Sequence, residues 1–273
     1  SPRTQFNVGW DFDVPGVLAH CHMLDSAAQA QRLQRQLIEA TMRADEGCLD
    51  CLSVGIVGAG ATGVELAAEL HHAVAAMAHH GGLNAPAGTR RLRIFLVDRA
   101  DRVLPAAHPD TSAAARASLE RMGVELRLGA AVERVETDAL HMAGGEALPS
   151  HIKVWASGVA GHAIVQDIDG LALNKTGRIR VDGGLACTGV QNVYALGDCA
   201  AAPAGPDGKG AVPPTAQAAQ QQARYLAHAL EQGLRGRAAA PFRFRDRGML
   251  VSLGEDHAAG ELARSGVLPR PLP

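Results

Sequence analysis

The chemistry in this sequence starts with Gly58-Ala59-Gly60-Ala61-Thr62-Gly63, whose G-x-G-x-x-G spacing suits a backbone that touches a pyrophosphate. Gly58 allows a tight turn, Gly60 removes the side chain that would hold a phosphate off, and Gly63 lets a helix pack closely on a strand. The second chemical group is the carboxylate of Asp98. It can accept both hydroxyls of an adenosine ribose and would repel a 2′-phosphate, which favours NADH over NADPH. The elements that must position these groups follow from the flanking residues. Ser53–Val57 is a short apolar run suited to a buried parallel strand. From Val64 the apolar residues Val64, Ala67 and Ala68, then His71 or His72, recur at helical spacing. Thr62-x-x-Glu65 fits a capping box at the start of that helix. Leu92–Val97 is a second strand ending at Asp98, further past the last glycine than the usual ~20 residues. A long helix and the Gly/Pro-rich loop His80–Thr89 fill the interval, and Arg90, Arg91 and Arg93 flank the strand and could weaken the preference for NADH. A strand–turn–helix without nucleotide is the structural alternative.

The rest of the composition sets bounds. A chain of 273 residues, 47% hydrophobic and 20% charged, is globular and long enough for one large or two ordinary domains. A formal charge of −2 argues against a nucleic-acid partner. No apolar run is long enough to span a bilayer, the polar N-terminus does not read as a signal peptide, and five scattered cysteines suit a reducing compartment. Cys48-Leu49-Asp50-Cys51 lacks the second ligand pair that a metal site needs. His71, His72, His79 and His80 likewise have no carboxylate or cysteine to complete a set, so no metal is expected.

In chain order, Ser1–Asp25 reads as an irregular connector, and Asp25 or Ser26 caps a helix through Arg43. Thr111–Met122 is a helix closed by Gly123 at its C′ position. Val124–Leu128 and Ile152–Ala156 are strands, with an antiparallel pair Ala131–Glu136 and Ala139–Ala143 between them. Arg178–Val181 and Val193–Leu196 are further strands. The latter would put Asp198 at the C-terminal end of a buried strand, where open α/β sheets bind ligands. Thr215 caps a helix from Ala216 to about Gln232. Phe242–Arg245 and Met249–Leu253 read as a hairpin around Asp246-Arg247-Gly248, with no recognisable element after Gly260.

The stretches GAGATGVELAAELHHAV, VWASGVAG, NVYALGDCA, VPPTAQAAQQQA and RDRGMLVSLG, with FDVPGV and LDSAAQA near the start, together resemble one family. It is the type II NADH dehydrogenases, non-proton-pumping NADH:quinone oxidoreductases of the two-dinucleotide-domain flavoproteins, in a Gram-negative-like branch. The resemblance implies an α/β fold of the FAD/NAD(P)-binding kind. A Rossmann-like NADH-binding domain at 51–161 would be inserted into the remaining part of a FAD-binding domain. Residues 1–50 would end the first FAD-domain segment with a linker helix, and 162–273 would form the second. It also implies that Gly58, Gly60, Thr62 and Gly63 face the NADH pyrophosphate and Asp98 its ribose. Glu65 would lie near the nicotinamide, Gly158 would bring backbone close to NADH, and Asp198 would accept ribityl hydroxyls of FAD. Ala216 and Gln217 at a helix N-terminus would face the flavin ring, and Gln217 with Gln221 would edge a quinone pocket. The implied activity is hydride transfer from NADH to FAD and electron transfer to a membrane quinone. The implied setting is the cytoplasmic face of the bacterial cell membrane, as a peripheral protein and a possible homodimer. The chain departs from the family in having one glycine fingerprint and no amphipathic membrane-attaching end. It is therefore expected to be a soluble fragment, truncated at both ends, catalytically incompetent and without stoichiometric FAD. Another flavoprotein reductase, acting on a disulfide, ferredoxin or oxygen, and a bare NADH-binding module are the alternatives.

Overall fold

Six consecutive buried residues, Leu52–Val57, make the central strand of a parallel sheet, because a strand covered on both faces carries apolar residues at every position. A computed structural model describes residues 14–45, 51–79, 92–158, 161, 163–205, 210–254 and 258–262. Its contacts divide into two units, Val14–Ser157 with the segment from Gly248 onward, and Gly158–Arg247. The first unit runs α1 (Val17–His20), α2 (Ala27–Asp45), β1 (Leu52–Val57), α3 (Ala61–His79), β2 (Leu92–Asp98), α4 (Pro109–Arg121), β3 (Glu125–Leu128), β4 (Val132–Val135), β5 (Ala139–Met142), β6 (Ala147–Pro149) and β7 (Ile152–Trp155). The parallel sheet has the order β3-β2-β1-β7, and β4, β5 and β6 form an antiparallel sheet of their own. Val54, Ile56, Ile94, Leu96, Val64 and Leu119 share one core in which sheet and helices meet.

Local chemistry sets the helix ends. Ser26 Oγ accepts the Gln29 N–H at 3.3 Å while Gln29 Oε1 accepts the Asp25 N–H at 2.8 Å, a reciprocal cap that starts α2. α4 begins two residues before the expected Thr111, because Pro109 suits a first helical position and the His108 ring accepts the Asp110 N–H. It closes as a Schellman motif: Gly123, at φ +80°, donates to Glu120 O, and Val124 donates to Leu119 O. The third antiparallel strand, β6, was not legible beside Pro149, which is tolerated at a sheet edge.

The second unit is built on α5 (Ala216–Leu234), with β8 (Ile179–Arg180) paired in parallel to β9 (Ala200–Ala201). Its core gathers Ile179, Val181, Leu185, Ala195, Val212, Ala218 and Phe242. Val193–Leu196 does not form the expected strand. Among the described residues its pairing stops at one bridge, Tyr194 to Ala186, closed by Cys187 N–H to Val193 O at 2.8 Å and Ala195 N–H to Leu185 O at 3.1 Å, and Val193 and Tyr194 are 39% and 41% exposed.

After Arg247 the chain returns to the first unit as an antiparallel hairpin, β10 (Gly248–Ser252) and β11 (Ala258–Leu262). This corrects two expectations. The partner of β10 is Ala258–Leu262, not Phe242–Arg245, and that strand runs through Gly260 to the last described residue. Phe242 instead fills the core of the second unit, and the backbone N–H of Arg245 is taken by Gln221 Oε1 at 3.0 Å, so neither is available to a ladder. The hairpin packs on α3 and α4, burying Val251, Leu253 and Ala259 in the same core as Val64 and Leu119. Glu261 Oε2 accepts the His108 N–H at 2.8 Å and the Thr111 hydroxyl at 3.1 Å, which pins β11 to the start of α4. The observed units thus divide 162–273 at Gly248 and group α1 and α2 with the parallel sheet, a partition different from the expected one. Leu253→Ala is expected to cost the first unit about 2–4 kcal/mol. The β1 amides should then exchange hydrogen correspondingly faster, whereas a hairpin that merely rested on the surface would leave them unchanged.

Candidate functional site

The three glycines of the loop do three different jobs. Gly58 turns the chain at φ +112°, and a Cβ there would lie 2.7–2.8 Å from the backbone of Ala156 and Ser157. A Cβ at Gly63 would sit 1.8 Å from the Gly58 carbonyl oxygen, so α3 can approach the loop only without one. At Gly60 a Cβ would meet nothing within 4 Å. That position opens onto free space and suits the close approach of an anion. The Val64 N–H is the donor to Gly60 O, which leaves the N–H groups of Ala61, Thr62 and Gly63 as the first-turn donors of α3.

Asp98 stands beside this loop. Its Oδ2 accepts the Ala59 N–H at 2.6 Å and its Oδ1 the Ala100 N–H at 2.8 Å. Each oxygen keeps lone-pair capacity for a hydroxyl donor, so the carboxylate is both oriented and able to grip a diol. The loop is tied twice more, by Gly58 N–H to Val97 O at 2.8 Å and by Leu104 N–H to Ala59 O at 2.7 Å. Leu104, buried at φ +49°, is a positioning residue that nothing in the local sequence signals, because its role depends on the distant Ala59 carbonyl. Arg93 does not act on Asp98. It lies at the far end of β2, pairs with Glu125 at 2.9 Å and covers the Phe95 ring at 4.9 Å. Arg90 and Arg91 fall outside the described residues.

Thr62 is exposed in the first turn of α3. The expected capping box with Glu65 does not form, because the helix starts at Ala61 and Glu65 Oε1 instead accepts the Ser252 N–H of the hairpin at 3.2 Å. His71 and His72 meet edge to face at 5.5 Å, and among the described residues no group of His, Cys, Asp or Glu is placed to hold a metal. His80, the His79 side chain and Cys48 lie outside the described residues. Burial raises the Cys51 thiol above its ordinary range, which keeps it protonated.

In the second unit, Asp198 is exposed in the short 3-10 turn Gly197–Cys199 rather than at the end of a strand. Two contacts fix that turn. Gln222, 2% exposed on α5, accepts the Gly197 N–H at 2.7 Å, and Arg178 donates to Asp198 O at 2.9 Å and to Ala200 O. No local signal in the sequence sets Gln222 apart from its glutamine neighbours; only its burial distinguishes it. Thr215 Oγ1 accepts the Ala218 N–H at 3.3 Å, so the N–H groups of Ala216 and Gln217 open the helix. Gln217 and Gln221 share a face, as their spacing requires, and together hold the segment 245–247. Gln217 donates to Asp246 Oδ1 at 3.2 Å and accepts the Arg247 N–H at 3.1 Å. Gln221 donates to Arg245 O at 2.9 Å and accepts the Arg245 N–H at 3.0 Å. Gly158, at φ +83°, is the first described residue of this unit.

These geometries separate folding from binding. Gly63→Ala should destabilise the first unit by about 1–3 kcal/mol through forced overpacking. Gly60→Ala should unfold nearly as the parent does yet bind dinucleotide poorly. Thermal melting alongside a fluorescence titration with NADH checks both, and equal melting losses would contradict the assignment.

The family model for the pyridine nucleotide-disulphide oxidoreductases matches residues 9–223. The chain is 34% identical over 268 residues to a type II NADH:quinone oxidoreductase of Haemophilus influenzae, covering 92% of this chain and 60% of that relative. It is 30% identical over 223 residues to the type II NADH:quinone oxidoreductase Ndh of Mycobacterium tuberculosis, covering 77% and 46%. The chain therefore spans well under two thirds of these relatives. In fold it is similar to the NDH2 of Plasmodium falciparum solved with NADH, at a TM-score of 0.77 and 16% identity, covering 96% of this chain and 68% of that one. A complete glycine loop with its anchored carboxylate, inside a match of this extent, makes the chain a member of the pyridine nucleotide-disulphide oxidoreductase family.

Proposed function

We propose that this chain carries the NADH-binding unit and part of the FAD-binding unit of an NADH:quinone oxidoreductase. One observation carries the reading: the Asp98 carboxylate is held by two backbone N–H groups at 2.6 and 2.8 Å, directly beside the glycine loop whose Gly60 is open. The loop N–H groups and the positive end of α3 would take the pyrophosphate, and Asp98 the adenosine ribose. Glu65 sits one turn into α3, and its second oxygen would remain for the nicotinamide carboxamide while the first holds Ser252. Gly158 would allow backbone to approach the same nucleotide.

FAD, when bound, supplies an acceptor for the NADH hydride and releases electrons singly or in pairs. The second unit has residues that fit such a group. Asp198 projects an exposed carboxylate from a turn fixed by Gln222 and Arg178, suited to ribityl hydroxyls. The N–H groups of Ala216 and Gln217, with the dipole of the 19-residue helix α5 behind them, would favour negative charge on a flavin ring. Each glutamine amide has two hydrogens and spends one on segment 245–247. The other hydrogen of Gln221 would remain for a quinone carbonyl, with Gln217 on the same helix face beside it. The two H. influenzae and M. tuberculosis relatives are named for a quinone acceptor, and that acceptor is proposed here too. The proposed place of work is the cytoplasmic face of a bacterial membrane, where quinone is dissolved. Among the described residues no helix is long and apolar enough to cross it.

The nucleotide assignment is tested by titration. NADH should bind about tenfold or more tightly than NADPH, and Asp98→Asn should remove most of that difference; equal affinities in the parent chain would overturn it. The acceptor assignment is tested in FAD-loaded protein by stopped flow. Replacing Gln217 and Gln221 by Ala should slow flavin reoxidation by quinone and spare flavin reduction by NADH. Equal damage to both half-reactions would make the two glutamines supports of the flavin alone.

A further inference from the structure

We infer that the cavity enclosed by α2, residues 18–23 and the start of β7 is a binding site for a small phosphate-type anion, separate from the glycine loop. The cavity measures about 570 Å³, a size ordinary for small-molecule sites. One wall is the face of α2 bearing Gln29, Arg32 and Gln36, which the helical repeat brings together. The lining also contains Lys153, 3% exposed in β7, a strand buried at all four positions.

A buried ammonium is retained only where something answers its charge. Lys153 Nζ donates to Thr137 O at 2.7 Å and to Ser150 O at 2.8 Å, two neutral carbonyls, and its third hydrogen remains. Among the described residues neither Lys153 nor Arg32 makes an ion pair, and no Asp or Glu lines the cavity. Asp138 is the carboxylate that acts on Lys153, but it sits on the exposed turn before β5 and outside the lining. The neighbouring Cys21 supplies no counter-charge either, since burial pushes its thiol up to about 12 and keeps it protonated.

Three imidazoles complete the lining, those of His20, His22 and His151. The Ser53 N–H donates to His151 Nδ1 at 3.1 Å, so the neutral ring carries its proton on Nε2 and is a donor there. His22 Nε2 bonds Gln36 Oε1, which joins the residue 18–23 segment to α2. The cavity thus combines a guanidinium fork, an ammonium with a spare hydrogen and an imidazole donor, with no acid among its described lining residues. That donor set matches phosphoryl oxygens.

The test uses pyrophosphate, titrated calorimetrically at low salt into Gly60→Ala protein, whose nucleotide loop is compromised. One equivalent should bind. Adding Arg32→Gln, a change on the exposed side of α2 that leaves the core untouched, should weaken binding about tenfold or more. Lys153→Met should do the same if it folds, and the His151 ring resonances should shift on titration in the Arg32 form only. Absence of binding, affinity indifferent to Arg32→Gln, or binding of citrate but not pyrophosphate would each overturn the inference.

Discussion

The nucleotide unit depends on how near α3 comes to the Gly58 carbonyl. With hydrogen alone at position 63, the helix seats against the loop at a distance where a methyl would stand 1.8 Å from that oxygen. Seating α3 there aligns its free N–H groups with the open side of Gly60 and brings Val64, Ala67 and Leu70 onto the sheet. It also sets where Glu65 meets the hairpin. One absent side chain therefore couples phosphate recognition, core packing and the docking of residues that lie nearly two hundred positions further on.

What was legible in the sequence was whatever local chemistry decides. The glycine spacing, the acid at the end of β2, the Ser26 and Thr215 caps and the Gly123 terminator all act within a turn or two of themselves, and each stands where its residue type placed it. What was not legible depends on distant partners. Val193–Leu196 has strand composition but, among the described residues, its pairing is confined to a single bridge against 185–187. The motif Asp246-Arg247-Gly248 looks like a hairpin turn, yet Gln217 and Gln221 occupy the backbone on one side of it. Glu65 was well spaced for a cap and was taken by Ser252 instead. Gln222 differs from Gln220 in no local respect; only the packing of α5 buries one and exposes the other.

Gln222 and the pair Gln217/Gln221 show how one residue type serves opposite ends. Gln222 works as a buried tie, completing the Gly197 N–H where water cannot reach, so its loss would leave an unsatisfied donor. Gln217 and Gln221 are half-buried and bind a segment through two hydrogen bonds each.

The return of the chain at Gly248 has a consequence for how the protein is made. Synthesis proceeds from the N-terminus, and residues 52–155 hold every strand of the parallel sheet. The sheet can therefore assemble on the ribosome while the second unit is still being translated. Until β11 emerges, however, the surfaces of α3 and α4 that receive Val251, Leu253 and Ala259 stay bare, and His108 and Thr111 lack the Glu261 carboxylate. For the time needed to translate roughly a hundred further residues, the nascent nucleotide unit presents a sticky apolar face, the kind of surface on which chaperones act.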